Sequence, residues 1–316
     1  MKKITGLLLL VLLFAQGCAN PSLTPGEGFI QVSGGPVWYR IFGAGNATPV
    51  LMVHGGPGIR SCYFERLAVL LSKNRPVILY DQLGSGRSGR PMDTSLWTVG
   101  RFVQELVTVR EMLHLNKVHL LGHSWGTALV AEYLIKTQPE GIASVTMASP
   151  YFSTRQWAED ANYRRTELPA EILKVLETHE QNGTFQSKEY QDATQVYNNR
   201  FLFHNKPAPI PSCAQAPRNN EIYEQMWGPT DFYSTGVLKD YDISPRIPEL
   251  KMPMLFITGR YDTARPETAA KYQAMAPGAQ LVILENSAHM GAMEEPEKMS
   301  EALESFVEQV EAQADH

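Results

Sequence analysis

Val118-His-Leu-Leu-Gly-His-Ser-Trp-Gly-Thr-Ala-Leu-Val130 is the stretch on which the fold turns. A short apolar run, Val118–Leu121, reads as a buried strand, and Ala128–Lys136 reads as a helix. Between them lies Gly122-His-Ser-Trp-Gly126, a Gly-x-Ser-x-Gly in the strand-to-helix setting of a nucleophile elbow. Such a turn is tight and strained. Its flanking positions must be small, so that the helix packs close and the hydroxyl projects. The amide of Trp125 then stands at a helix start, where unpaired donors and the positive dipole end can stabilise an oxyanion.

Outward from this point, strands and helices alternate. Phe29–Val32 and Val37–Phe42 read as an antiparallel pair around Gly34-Gly35-Pro36. Val50–Val53, Val77–Tyr80, Val118–Leu121 and Ala143–Met147 are apolar runs of the kind buried on both faces of a parallel sheet. Phe102, Leu106, Val109 and Leu113 share one face of a helix between the second and third of these runs. The alternation implies a doubly wound α/β sheet. It stops at Pro150 and resumes near Met252, with Met254–Thr258 and Gln280–Leu284 as the last core strands. Residues 151–240 are polar, aromatic and partly helical, as in Ala170–Thr178 and Lys188–Phe203, and read as a cap on a catalytic domain of residues 29–150 and 241–316. A last amphipathic helix starts at Pro296 and turns Met299, Leu303, Phe306 and Val310 inward.

At 316 residues, with 43% hydrophobic and 19% charged, the chain can bury a large core and lacks a disordered composition. A net charge of −5, with no basic run beyond the N-terminus, gives no footprint for nucleic acid. Met-Lys-Lys followed by the apolar run Ile4–Phe14 and Ala15-Gln-Gly-Cys18 has the plan of an export signal over residues 1–17. The apolar run is shorter than the ~20 residues that cross a bilayer. Cys18 after Gly17 resembles the lipobox of bacterial lipoproteins, with Ala15 where that box usually carries Leu. Lipidation of Cys18 would tie the chain to a membrane through a tether of residues 18–28, whereas cleavage without lipid would release a periplasmic or secreted protein. Cys62 and Cys213 are left to pair in an oxidising compartment or to stay thiols, and a free Cys62 thiol is the expectation.

The remaining chemistry follows the order serine, acid, histidine of this elbow type. His289, in Asn286-Ser-Ala-His-Met-Gly291, follows the last strand and is the expected base. Asp262 follows the strand before it and would fix the tautomer of His289 and stabilise its imidazolium. His54-Gly-Gly-Pro-Gly58 follows the strand ending at Val53, where Gly56 is the candidate second oxyanion donor beside Trp125. His54 and His123 are read as organising neighbours. No metal-ligating cluster and no phosphate loop competes, and no cofactor is expected.

Together, His54-Gly-Gly-Pro-Gly58, Tyr80-Asp-Gln-Leu-Gly-Ser-Gly-Arg-Ser88, Gly122-His-Ser-Trp-Gly-Thr127 and the Asp262 and His289 loops resemble the proline iminopeptidase family of α/β hydrolases, from about Phe29 to Val310. The resemblance implies an α/β-hydrolase fold with a mainly helical cap. It implies a serine hydrolase that removes an N-terminal residue, often proline, from small peptides or amino-acyl amides through an acyl-enzyme. It also implies cap carboxylates that hold the substrate's free amine. The segment Glu221–Phe232 resembles the family's cap segment, with Asp231 where a glutamate is usual, and Glu221 and Glu224 are further candidates. Thr263 stands where some members carry a second glutamate. Asp81-Gln82 is read as a positional turn and Arg87 as loop packing. Two other readings stay open: an esterase or amidase without amine recognition, and a hydrolase-fold binding protein without turnover. Proline preference and oligomeric state are not legible in the sequence.

Overall fold

The computed structural model describes residues 20–205 and 218–314. The export signal and Cys18 lie outside these residues, as does Cys213. Eight strands form one sheet in the order β1-β2-β4-β3-β5-β6-β7-β8. The strands are β1 (Gly26–Val32), β2 (Gly35–Phe42), β3 (Val50–Val53), β4 (Val77–Tyr80), β5 (Val118–His123), β6 (Ile142–Ala148), β7 (Met254–Gly259) and β8 (Gln280–Leu284). β1, β2 and β4 pair antiparallel, and the pairs from β4 through β8 are parallel. This is the doubly wound α/β arrangement expected from the alternation. The hairpin closes one position earlier than its Gly-Gly-Pro signal suggests, with Val32 opposite Gly35.

Helices cover both faces. Against one lie α2 (Val99–Met112) and α3 (Trp125–Thr137), packing Phe102, Leu106, Val109 and Leu129 onto Leu51, Leu120 and Val145. Against the other lie α1 (Glu65–Leu71) and, at the chain's end, α10 (Pro296–Ala314), with Leu67, Leu303 and Phe306 on Met52, Leu79 and Leu255. The central strands are buried along their whole length, which is why they read as unbroken apolar runs.

One polar clasp holds α10 to the sheet. Arg75 donates two hydrogen bonds to Glu311, at 2.8 and 3.0 Å. Burial holds His119 below its usual range, so a neutral ring donates from Nε2 to Glu311 (3.2 Å) and accepts at Nδ1 from Ser144 (2.7 Å). Burial would push the Glu311 carboxyl up, but the bonds from His119 and Arg75 and the Arg75 charge outweigh it and hold it at about 2. A carboxyl depressed in the fold contributes stability that is whole above its unfolded value and is lost as pH falls towards its folded one. Glu311→Gln is therefore expected to lower Tm at pH 7 by about 2–4 °C, while losing less than the parent between pH 4.5 and 2. Thermal melts across that range check this, and parallel curves would refute it.

The cap rises from β6. It contains α4 (Thr154–Arg165), α5 (Ala170–Asn182), α6 (Lys188–Phe201) and α7 (Asn220–Met226). It has a small core of its own, in which Ala161, Leu176, Tyr190, Tyr197, Phe201 and Phe232 meet. The core is small, so contacts with the domain below matter. The Asn219 amide donates to the Gly58 carbonyl (2.8 Å), and Phe201 and Leu202 accept from the amides of His289 and Met290 (3.3 and 3.2 Å). Among the described residues, no helix is long and apolar enough to cross a membrane.

Candidate active site

Ser124 sits at φ 53°, ψ −124° between β5 and α3. A non-glycine residue at positive φ is strained, and a strained serine at this turn is the elbow geometry. The two flanking glycines are required by close packing. A Cβ on Gly126 would lie 2.1 Å from the Val53 carbonyl oxygen, and one on Gly122 would lie 2.6 Å from that of Gly126. Any side chain there would push α3 off the sheet, and Ser124 with it.

Ser124 lines a cavity of about 680 Å³ between sheet and cap, together with Gly56, Trp125 and His289. His289 lies on the loop after β8 and bonds through Nδ1 to Asp262 Oδ1 at 2.8 Å. Asp262, on the loop after β7, is fully buried. Burial alone would raise its carboxyl, but the His289 charge and hydrogen bonds from His289 and the Ala264 amide hold it below the usual carboxylate range. An ionised, buried acceptor at that distance sets Nδ1–H on His289 and leaves Nε2 as the basic nitrogen. Tertiary packing thus brings together Ser124, Asp262 and His289, which are separated by up to 165 residues of chain.

The candidate oxyanion loop is held by side chains that pair with no ambiguity of direction. His54 Nδ1 donates to the Gly55 carbonyl (2.7 Å), and its Nε2 accepts from the Gln82 amide (2.9 Å). Burial keeps this ring neutral by lowering its affinity for a proton. The Gln82 side chain donates from Nε2 to the His54 carbonyl (2.7 Å) and accepts at Oε1 from the Trp125 indole (3.0 Å). One amide therefore bridges the loops bearing both candidate oxyanion donors. The sequence marks Asp81-Gln82 as a positional turn, but a turn glutamine carries no signal of its partners. Its neighbour Asp81 accepts from Ser61 and from the Arg87 amide, which fixes the turn, while the Arg87 guanidinium pairs with exposed Glu27. The Gly55 amide is taken by Tyr63 (2.8 Å), which leaves Gly56 as the loop glycine facing the cavity.

The cap supplies two contacts to the base and acid loops that the sequence did not reveal. Arg164 of α4 donates from Nε to the Asp262 carbonyl (2.9 Å) and from Nη2 to the Arg260 carbonyl (2.8 Å). Trp157, also on α4, packs edge-on to His289 with centroids 5.4 Å apart, and donates to the Asp231 carbonyl (2.9 Å). Helix α4 itself was not expected from the sequence.

The three candidate amine anchors are disposed differently. Asp231 lines the cavity, but its Oδ1 already accepts from Arg218 (3.2 Å) and from the Tyr223 hydroxyl. Arg218 also lies over the Tyr223 ring, 3.5 Å from its centroid. Glu224 is on the cavity wall and largely solvent-exposed. Glu221 is exposed and is not among the lining residues, because α7 turns it outward. Thr263 lines the cavity and shares a hydrogen bond with Tyr197 (2.9 Å). Among the described residues, no group of His, Cys, Asp and Glu side chains could hold a metal ion. The expectation of a free thiol at Cys62 does not hold: Cys62 is disulfide-bonded.

A family model described as the alpha/beta hydrolase fold matches residues 48–296. A proline iminopeptidase of Heyndrickxia coagulans is 42% identical over 287 residues, spanning 90% of this chain and 99% of that protein. The crystal structure of a proline iminopeptidase from Mycobacterium smegmatis superposes with a TM-score of 0.83 at 30% identity, covering 92% of this chain and all of that one. The crystal structure of VinJ superposes with a TM-score of 0.84 at 28% identity, covering 91% of this chain and all of that one.

Proposed function

We propose the following for this chain, which belongs to the proline iminopeptidase family of α/β hydrolases: it is a serine hydrolase that cleaves the N-terminal residue, proline among them, from small peptides or amino-acyl amides. The observation that carries this reading is that Ser124 and His289 line one cavity under the cap, with His289 bonded behind to Asp262.

In the proposed reaction His289 Nε2 takes the Ser124 proton as Oγ attacks the substrate carbonyl. The amides of Gly56 and Trp125 hold the oxygen that becomes negative. His289 then returns the proton to the departing amine, and the C–N bond breaks to leave an acyl-enzyme. Water, deprotonated by the same imidazole, attacks the ester and frees Ser124. Asp262 stays ionised and supports the imidazolium at each step.

Recognition of a free amine needs a paired negative charge, because a desolvated ammonium is otherwise costly. Asp231 is the proposed partner, and the aromatic rings of Tyr151, Trp157 and Trp227 line the same cavity, where a cation can meet them. The Arg218–Asp231 pair favours one second reading, an esterase or amidase that ignores the amine, since the carboxylate is already neutralised. Comparing a chromogenic prolyl amide with its N-acetylated form separates the two. Acetylation is expected to lower kcat/KM at least about 100-fold. An unchanged kcat/KM would remove the aminopeptidase reading and leave the amidase.

Export and lipid attachment at Cys18 belong to the same proposal and rest on the sequence of the first eighteen residues. Cys18→Ala is expected to move the protein from the membrane fraction of its host to the soluble one. An unaltered distribution would dismiss the anchor.

A further inference from the structure

A line of three hydrogen bonds crosses the floor of the site, and its direction is forced at both ends. The Gly55 amide can only donate, and it donates to the Tyr63 oxygen at 2.8 Å. The His289 carbonyl can only accept, so His123 Nε2, 2.9 Å away, carries a hydrogen. Burial, aided by the charge of His289, holds the His123 imidazole down at about 3, so the ring is neutral and its Nδ1 is bare. Burial also keeps the Tyr63 hydroxyl protonated by pushing it far above its usual range. That hydroxyl therefore donates to His123 Nδ1, at 2.8 Å. Each bond has one donor and one acceptor, and reversing any of them would set a buried donor against a donor or an acceptor against an acceptor.

The line joins three separate parts of the chain. Gly55 precedes the candidate oxyanion donor Gly56, His123 precedes Ser124, and His289 is the candidate base. The rings of His123 and His289 also lie against each other, with centroids 4.8 Å apart. The His289 main chain is gripped from other sides by Ser149, which donates to the same carbonyl (3.2 Å), and by the Phe201 carbonyl of the cap. Tyr63 is 5% exposed and His123 3%, so water does not compete for these partners.

We infer that Tyr63 and His123 are positioning residues for the hydrolytic reaction, forming a strut that sets the distance between the oxyanion loop and the base across Ser124. The inference rests on the roles proposed above for Ser124, Gly56 and His289. Its physical basis is that a reacting group displaced by about 1 Å costs on the order of 100-fold in rate, while binding contacts made elsewhere in the cavity are untouched. Loss of the strut should accordingly lower kcat and spare KM.

Tyr63→Phe removes one oxygen and keeps the ring packed on Phe64 and His123. It is expected to lower kcat about 10- to 100-fold with KM within about twofold, and to slow labelling of Ser124 by a fluorophosphonate in proportion. A fall in Tm with kcat per folded molecule unchanged would overturn the inference, as would an effect confined to KM. Failure of the parent itself to label would instead strike the nucleophile reading on which the inference stands. His123→Gln and His123→Asn decide the matter if Tyr63→Phe does not fold. The longer amide can reach the position of Nε2 and donate to His289, whereas the shorter one reaches only the position of Nδ1. Gln should retain several-fold more kcat than Asn, and equality or the reverse order would overturn the strut.

Discussion

Replacing Ser124 with alanine is expected to lower kcat by about 10⁵- to 10⁶-fold and to abolish fluorophosphonate labelling. The loss is large because His289 has no other oxygen nucleophile to activate at the elbow, and the residual rate would come from the oxyanion donors and binding alone. Stability should hardly change. Serine already occupies φ 53° without a side-chain cap bond, and alanine meets the same backbone cost there. Tm within about 2 °C of the parent, with kcat lost, is the expected pair of results. More than about 1% residual kcat would place the nucleophile elsewhere.

Asp262→Asn is expected to lower kcat about 10³- to 10⁴-fold. Asp262 Oδ1 accepts from both His289 Nδ1 and the Ala264 amide (2.8 Å), so an asparagine with its oxygen there keeps both bonds but loses the charge that supports the imidazolium, while one with its NH₂ there sets a donor against each of them. With the NH₂ facing His289, Nδ1 becomes the acceptor and the proton moves to Nε2, the nitrogen that should receive the Ser124 proton. The base is then in the wrong tautomer, although the ring has not moved. Asp262 is buried and does not line the cavity, so KM should stay within a few-fold. Retention of more than about a tenth of the parent kcat would mean that His289 does not depend on Asp262. Because Asp262 is held below the usual carboxylate range, the parent should keep an ionised acid to a lower pH than a free aspartate would.

The β5-elbow-α3 unit was legible because its demands are local. A strand buried on both faces is an unbroken apolar run, and a turn with 2 Å clearances admits only glycine. Asp262 and His289 were legible for a related reason, since each stands directly after a strand that announces itself. Helix α4 was missed because its buried face is polar: Asp160, Arg164 and Arg165 point inward. A hydrophobic-periodicity reading cannot find such a helix. Besides local partners, its buried side chains bond groups far along the chain, Arg164 the Asp262 and Arg260 carbonyls and Asp160 the Thr268 hydroxyl (2.9 Å). Burial raises the Asp160 carboxyl to about 6, a shift that the hydrogen bond from Thr268 and the Arg265 charge only partly offset.

The same contrast separates nucleophile from specificity. By itself the sequence determined the sheet, the elbow and where the candidate serine, acid and base stand along the chain, since these depend on backbone geometry and burial encoded in contiguous residues. Only the tertiary structure decided which polar side chains face one another. It put Arg218 on Asp231, turned Glu221 to solvent, bridged the oxyanion loop to Trp125 through Gln82, and strung Tyr63 and His123 between Gly55 and His289. A hydrogen bond or ion pair is lost within an ångström or two of separation and depends on angle as well, and no spacing along the chain specifies distances at that scale across separate loops.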